Sequence, residues 1–200
     1  MTPSPRARLT MPAIVDAAIA LADEDGIGAL SMRKLADRLG AGTMSLYRHV
    51  ADKDQLIGAM ADVAGAAFAY PLDDAGLWTW RERVRIAVDR DWALFERHPW
   101  MVLAYAAPRY TLSATSRASL AWLADGLTDL GVDHDEATTM ALSVWDLTNG
   151  VALMLTTDRL LNADPPLTSA PEGLKERLDA GVESLCLGFA ARGAGPSQVE

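Results

Sequence analysis

Thr43, Ser45, Tyr47, Arg48 and His49 crowd hydrogen-bonding side chains onto or near the outer side of one short predicted helix, with Lys53 just beyond it. The chemistry such a set performs best is recognition of a nucleic acid. An arginine grips guanine O6 and N7 with two bonds, a threonine methyl meets a thymine methyl, and tyrosine, serine and lysine reach phosphates. On spacing alone, the stretch also fits a solvated surface helix of an all-α domain, because helix pairs joined by tight turns are common.

The surrounding residues say how these groups are held. Met32, Leu35, Ala36 and Leu39 recur at i, i+3, i+4 and i+7, which is one apolar helix face. Ser31 stands before that face as an N-cap and Gly40 after it as a C′ glycine. Ala41 and Gly42 make the turn, Thr43 or Ser45 opens the next helix, and Leu46 and Val50 point inward. Asp52 and Gln55 form a capping box for a helix continuing from Lys53. Ahead of the pair, Thr10 caps a first helix that tolerates Pro12 in its opening turn, buries Ile14, Ala17, Ala18 and Leu21, and ends near Gly26. It braces the two that follow.

The run Gly-x-x-Ala-Leu-Ser-Met-Arg-Lys-Leu-Ala-x-x-Leu-Gly from Gly26 to Gly40, followed by Leu-Tyr-Arg-His-Val-x-x-Lys from Leu46 to Lys53, resembles the DNA-binding domain of the TetR family of transcriptional regulators. The resemblance covers about residues 10–60. Carried over residue by residue, it implies DNA contacts from Ser31, Met32 and Arg33, then from Thr43, Met44, Ser45, Tyr47, Arg48 and His49, and finally from Lys53. Gly42 and Met44 stand where relatives often have a polar residue or proline. Arg48 replaces an aromatic residue found in some members, which suggests a guanine contact. The resemblance further implies an all-α fold with a three-helix helix-turn-helix head and a larger helical-bundle body. It implies a homodimeric regulator, a repressor by expectation, that binds a palindromic double-stranded operator and is released by a small-molecule effector.

Composition sets bounds on these readings. Half of the 200 residues are hydrophobic, which suits a globular chain, and the net charge of −9 argues against indiscriminate coating of nucleic acid. Residues 1–62 carry 7 Lys/Arg against 8 Asp/Glu, and residues 63–200 carry 11 against 19. Ser31–Lys53 has five basic and two acidic residues, a local +3 on an otherwise acidic protein. The single cysteine, Cys186, excludes an internal disulfide and a multi-cysteine zinc site, and reads as a small buried hydrophobe. His49, His98 and His134 lack metal-ligand spacing. No phosphate-cradling glycine loop or nucleophile elbow is present, so neither a cofactor nor an enzymatic activity is expected. MTPSPRARLT has no signal-like apolar region, and no run of about 18 apolar residues suggests a membrane span. A cytoplasmic protein is expected.

The chain divides by expectation into an arm (1–9), a head with its connecting helix (10–70), a body (71–192) and a disordered tail (193–200). Arg6 and Arg8 in the arm either enter a minor groove or remain a solvated tail. The fourth helix, through Leu56, Ile57, Met60, Val63, Ala64 and Ala67 to about Tyr70, would connect head and body. Body helices are predicted at about 77–97, with a stripe of Trp80, Val84, Val88, Trp92 and Phe95, and at 111–130, with Leu120, Leu123, Leu127 and Leu130 inward. Two more are predicted at 134–157 and 172–191. HPW at 98–100, with Pro108 beyond it, resembles the tetracycline-repressor branch of the family. Gly181 and Gly188 within the last helix call for close approach of another helix, since each costs about 1 kcal/mol relative to alanine. The helices 134–157 and 172–191 are therefore expected to pair with their copies across a two-fold axis. Trp100, Met101, Tyr105, Trp122, Trp145, Thr148 and Asn149 are candidates to line a pocket for a small apolar or aromatic effector, or else are plain core. The alternative for the whole chain is a helical small-molecule-binding protein whose DNA-reading function is weak or lost.

Overall fold

Ser31 Oγ accepts the Lys34 N–H at 3.2 Å, and that cap starts the helix on which the head is built. The chain is described here from a computed structural model covering residues 9–106, 114–156 and 173–193. It falls into two compact units, one ending at Ala64 and the other starting at Gly65. That division lies inside the last turn of the connecting helix, ahead of the proline break at 71 where the sequence suggested it. Every element among the described residues is helical or a turn.

In the first unit, α1 (Met11–Asp25) is capped by Thr10, with proline in its first turn. A 3-10 turn (Ile27–Ala29) leads to α2 (Met32–Arg38). Gly40 at φ 60 closes α2 with two bonds, Ala41 N–H to Ala36 C=O at 3.0 Å and Gly40 N–H to Asp37 C=O at 3.2 Å. This double closure needs a left-handed residue, which glycine supplies without a Cβ clash. α3 (Thr43–Leu46) then opens at Thr43, one of the two residues expected to begin it, with Gly42 at the N-cap position and no side-chain cap. α3 continues as turns through His49, which keeps the reading segment short. α4 (Lys53–Ala66) opens with Asp52 accepting the Gln55 N–H at 2.7 Å, while Gln55 reaches back to the Ala51 N–H at 2.6 Å.

The core of this unit is one cluster. Ile14, Ala18 and Leu21 of α1, Leu35 and Ala36 of α2, Leu46 and Val50 around α3, and Leu56, Ile57 and Met60 of α4 are all buried. Each large side chain contributes roughly 1.5–3 kcal/mol by leaving water, so this cluster can hold two short helices that would not persist alone. Val63 stays half exposed on α4, and the helix ends at Ala66 rather than near Tyr70.

The second unit is a helical bundle. α5 (Trp80–Arg97) starts three residues later than the predicted 77, at the first residue of the apolar stripe, where a full capping box between Thr79 and Glu82 fixes its first turn. α6 (Trp100–Ala106) and α7 (Ala114–Leu127) follow; a 3-10 turn and Gly131 end the α7 segment. The sequence places that helix from residue 111, but 111–113 lie outside the described residues. α8 (His134–Ala152) is capped by Asp133, which accepts the Glu136 N–H at 2.8 Å, and tightens into a 3-10 turn over Leu153–Leu155. α9 (Leu174–Gly193) completes the unit. α8 packs against α5, α7 and α9, so it is the central strut, as its apolar residues on more than one side require. Cys186 is buried and free. The arm with Arg6 and Arg8, Pro108, the proline-rich stretch 161–172 and the tail beyond Gly193 lie outside the described residues.

Gly181 is explained within one chain. A Cβ there would sit 3.1 Å from Leu147 Cδ2 of α8, so the chain's own helix approaches closely at this position. Gly188 faces open space.

Candidate nucleic-acid interface

The apolar faces of α2 and α3 turn inward and leave a polar outer surface. Ser31, Arg33, Met44, Tyr47, Arg48 and His49 are exposed, and Thr43, Ser45 and Lys53 are half-buried. Met44 is 77% exposed and Tyr47 44%, large apolar groups that packing does not explain. Met32 differs from the other candidates: it sits 9% exposed on the inner face of α2, so its side chain belongs to the core and is not displayed. The spacing that placed Met32 on the apolar face was the better guide to it than the resemblance. The structure thus groups nine of the ten sequence candidates on the outside of α2, α3 and the start of α4.

Local bonds set some of these groups in place. Arg48 Nη2 donates to Ser45 Oγ at 3.0 Å, one turn back, which points the guanidinium along the outer side of α3. Ser31 spends its acceptor on the α2 cap and keeps a hydroxyl proton to donate.

The cations of the pair are sorted by partner. Arg38 makes two bonds to Glu24, each 2.6 Å, and Lys34 bonds Asp25 at 3.0 Å, so the acidic end of α1 neutralises that side of α2. The hydrogen bonds to Glu24 raise the proton affinity of Arg38, and Glu24 is held below the usual carboxylate range chiefly by the same Arg38 hydrogen bonds. Arg33, Arg48 and Lys53 have no carboxylate partner among the described residues. A surface with fixed hydrogen-bond donors, unpaired cations and exposed apolar tips can take phosphates and read base edges.

The body candidates separate into two groups. Trp100, Met101, Trp122 and Thr148 are buried, and Thr148 Oγ1 bonds back to the Val144 carbonyl at 2.8 Å. Tyr105, Trp145 and Asn149 are half-buried. Trp100 packs edge-on to His98, with centroids 6.0 Å apart, and Tyr105 edge-on to Phe95 at 6.2 Å. Trp122 and Trp145 converge on a residue the sequence reading left at a helix end: Tyr70. The Trp145 Nε1–H donates to the Tyr70 hydroxyl at 3.0 Å, and the Trp122 ring meets Tyr70 at 5.5 Å. Tyr70 in turn donates to Asp91 Oδ2 at 2.9 Å. The signal for Asp91 was available. With Val84, Val88 and Phe95 it falls at i, i+4, i+7 and i+11, so an acid occupies a position on the apolar face of α5.

A separate groove runs between α5 and α9, lined by Arg81, Arg85, Asp89, Lys175 and Glu183. Its charges already pair with one another, Lys175 with Asp89 at 3.0 Å and Arg81 with Glu183 at 3.1 Å. Among the described residues, no cluster of three or more His, Cys, Asp or Glu is arranged to hold a metal. No helix among them is long and apolar enough to cross a membrane.

Residues 14–60 match the family of bacterial regulatory proteins, tetR family. An HTH-type transcriptional repressor, DrrR1 of Streptomyces coeruleorubidus, is 40% identical over 100 residues, 49% of this chain. The matched chain spans only 36% of the length of that curated relative. Among solved structures, Mycobacterium smegmatis BioQ aligns over 92% of this chain and 99% of its own with a TM-score of 0.77 at 23% identity. A BioQ structure with its double-stranded DNA operator aligns over 92% of this chain and 99% of its own (TM-score 0.73, 22% identity). Streptomyces coelicolor ActR in complex with (S)-DNPA aligns over 94% of this chain and all of its own (TM-score 0.69, 23% identity). At these identities the structures establish the fold.

Proposed function

We propose that this chain, which belongs to the tetR family of bacterial regulatory proteins through its head, is a homodimeric transcriptional repressor that binds a palindromic operator and is released by a small-molecule effector. The observation that carries the reading is the sorting of charge on the head. Lys34 and Arg38 are consumed by the end of α1, while Arg33, Arg48 and Lys53 stay available on the face that also displays Thr43, Ser45, Tyr47 and His49. A merely solvated helix has no need of that separation.

In this reading Arg48, steadied by Ser45, takes a guanine edge, and Thr43 and Met44 meet thymine methyls or sugar. Ser31, Arg33, Tyr47, His49 and Lys53 hold phosphates on either side. Two copies would present two such faces to half-sites about 34–36 Å apart. Exposed Leu142 on α8, Leu153 in the turn that follows it and Leu187 on α9 offer apolar surface for pairing through this side of the bundle. Effector binding in the body would release DNA only to the extent that the effector prefers the non-binding state. A complex with operator DNA in the case of BioQ, and with (S)-DNPA in the case of ActR, fits that division of labour between head and body.

The test is binding of the full chain to the intergenic DNA beside its own gene, with nonspecific competitor, at low and moderate salt. Tight, competitor-resistant binding by one dimer per site is the expected result. No preference over competitor at any salt, with Arg48→Ala equal to wild type, would overturn the reading in favour of a small-molecule-binding protein without DNA-reading function, a role that the net charge of −9 would suit.

A further inference from the structure

Met44 is the one methionine among the described residues that the fold leaves exposed, with 77% of its surface in water. Met32, Met60, Met101 and Met140 are buried, and Met11 and Met154 are half-buried. The Met154 sulfur also accepts a hydrogen bond from Arg177 Nη1 at 3.9 Å. The Cys186 thiol is buried too, and that burial raises its pKa, so little of it is thiolate. Oxidation of sulfur side chains follows their exposure. The fold therefore directs a two-electron oxidant to Met44.

The same residue stands in the middle of the reading surface. Thr43 and Ser45 are its neighbours in α3, and exposed Tyr47 and Arg48 follow three and four residues on, which is one helical turn. An unbranched apolar tip at that place suits a thymine methyl or a sugar. A sulfoxide does not, because its oxygen accepts hydrogen bonds and donates none. Against a thymine methyl or a phosphate that oxygen loses its water and finds no donor in exchange.

We propose that Met44 is a modification site at which a peroxide weakens operator binding, reversibly, by forming methionine sulfoxide on the reading helix. With hydrogen peroxide the thioether sulfur attacks one peroxide oxygen. An S–O bond forms, the O–O bond breaks, and the attacked oxygen passes its proton to the hydroxide that leaves as water. Sulfur loses two electrons and the peroxide gains them. Two epimeric sulfoxides result, so both stereospecific classes of methionine sulfoxide reductase are needed to restore the thioether. The effect on DNA rests on the regulator reading above; the place of oxidation does not.

The experiment treats the full chain with hydrogen peroxide, locates added oxygen by peptide mass analysis, and titrates the intergenic DNA fragment beside its own gene. The Met44 peptide should gain one oxygen ahead of every other methionine peptide and of the Cys186 peptide. Affinity for the fragment should then fall by roughly tenfold or more, with the thermal midpoint unmoved, and the reductase pair should restore it. Excess fragment should slow oxidation at Met44 more than nonspecific competitor does. Met44→Leu, compared with its own untreated sample, should lose no affinity on treatment. Earlier oxidation elsewhere, full affinity with Met44 oxidised, no protection by the fragment, or a parallel loss in Met44→Leu overturns the proposal. Untreated protein with no preference for the fragment overturns the regulator reading and the switch with it, while the peptide masses still decide where oxidation falls.

Discussion

Arg38 of α2 grips both carboxylate oxygens of Glu24, near the end of α1, through two 2.6 Å hydrogen bonds. Bidentate geometry is the arrangement in which a surface ion pair contributes most, though both side chains remain solvated and salt screens them. The pair links α2 to α1 from outside the core. Arg38→Ala and Glu24→Ala should each lower the thermal midpoint slightly. The double variant should lose little more than either single one, as a double-mutant cycle requires of a real pair. The difference should fade in high salt. Additive losses that persist at high salt would mean that the two residues act separately.

Arg48 and Lys53 should separate under the same binding assay. Arg48→Ala is expected to cost on the order of 1–3 kcal/mol on the operator and to relax preference at one base position. Lys53→Ala should weaken every sequence alike and reduce the salt slope by about 1. Met32→Ala is a third kind of change. Since Met32 is 9% exposed in the core of the head, it should lower stability by roughly 2–5 kcal/mol, scaled down for the partial exposure, before it touches specificity. Melting curves and competition titrations on the three variants distinguish these outcomes; an Arg48→Ala loss that is equal on every sequence would remove its base-reading role.

Asp91 gives stability a pH dependence of a definite sign. Its pKa lies near 7 in the folded chain and near 3.8 when unfolded. Between those values the folded state binds a proton that the unfolded state does not, so Asp91 lowers stability as pH rises through about 4 to 7. The penalty is complete above that window and absent below it. It amounts to a few kcal/mol at most, on the order of 1.4 kcal/mol per pKa unit. The groups that face it are Tyr70 from the segment after α4 and, through Tyr70, Trp145 on α8 and Tyr105 on α6. Asp91→Asn should therefore melt higher than wild type at pH 8 and at the same temperature near pH 4. A parallel pair of melting curves across that range would show that the carboxyl titrates normally.

What could be read in the sequence, and what could not, follows from the range of the interactions. Caps and turns are local: Ser31, Gly40, Asp52 and Gln55 act within a few residues, and the structure places each as a helix boundary. The start of α5, expected at about 77, lies instead at Trp80, where the equally local Thr79–Glu82 box sets it. The paired and unpaired cations were not legible, because Glu24 and Arg38 lie 14 residues apart and only the fold brings them together. Tyr70 and Asp91 are 21 apart and meet Trp145 a further 54 residues on from Asp91. An acid on an apolar face marked Asp91 as unusual, but nothing local said which groups would surround it. Gly181 was read as marking a close approach of helices, and the structure shows one made by the chain's own α8, a contact that spacing alone cannot tell from a partner's.

The two glycines of α9 then become a test of the dimer. A Cβ at Gly181 would press on Leu147 Cδ2 at 3.1 Å, so Gly181→Ala strains the contact between α8 and α9 inside each chain. At Gly188 a Cβ meets nothing within 4 Å of its own chain, and the neighbouring Leu187 is 59% exposed. In an isolated chain Gly188→Ala should be stabilising by up to about 1 kcal/mol, the helix-propensity gain. If α9 packs against its copy, the added methyl instead lies where two helices approach, and the gain is offset by weaker association. Sedimentation equilibrium and melting at several protein concentrations resolve the two effects, since only the dimer's stability depends on concentration. The expected result for Gly188→Ala is a larger dissociation constant with an unchanged or better-folded subunit. A variant that melts higher and dimerises as tightly as wild type would move the interface away from Gly188, leaving exposed Leu142 and Leu153 on the α8 side as the next place to look.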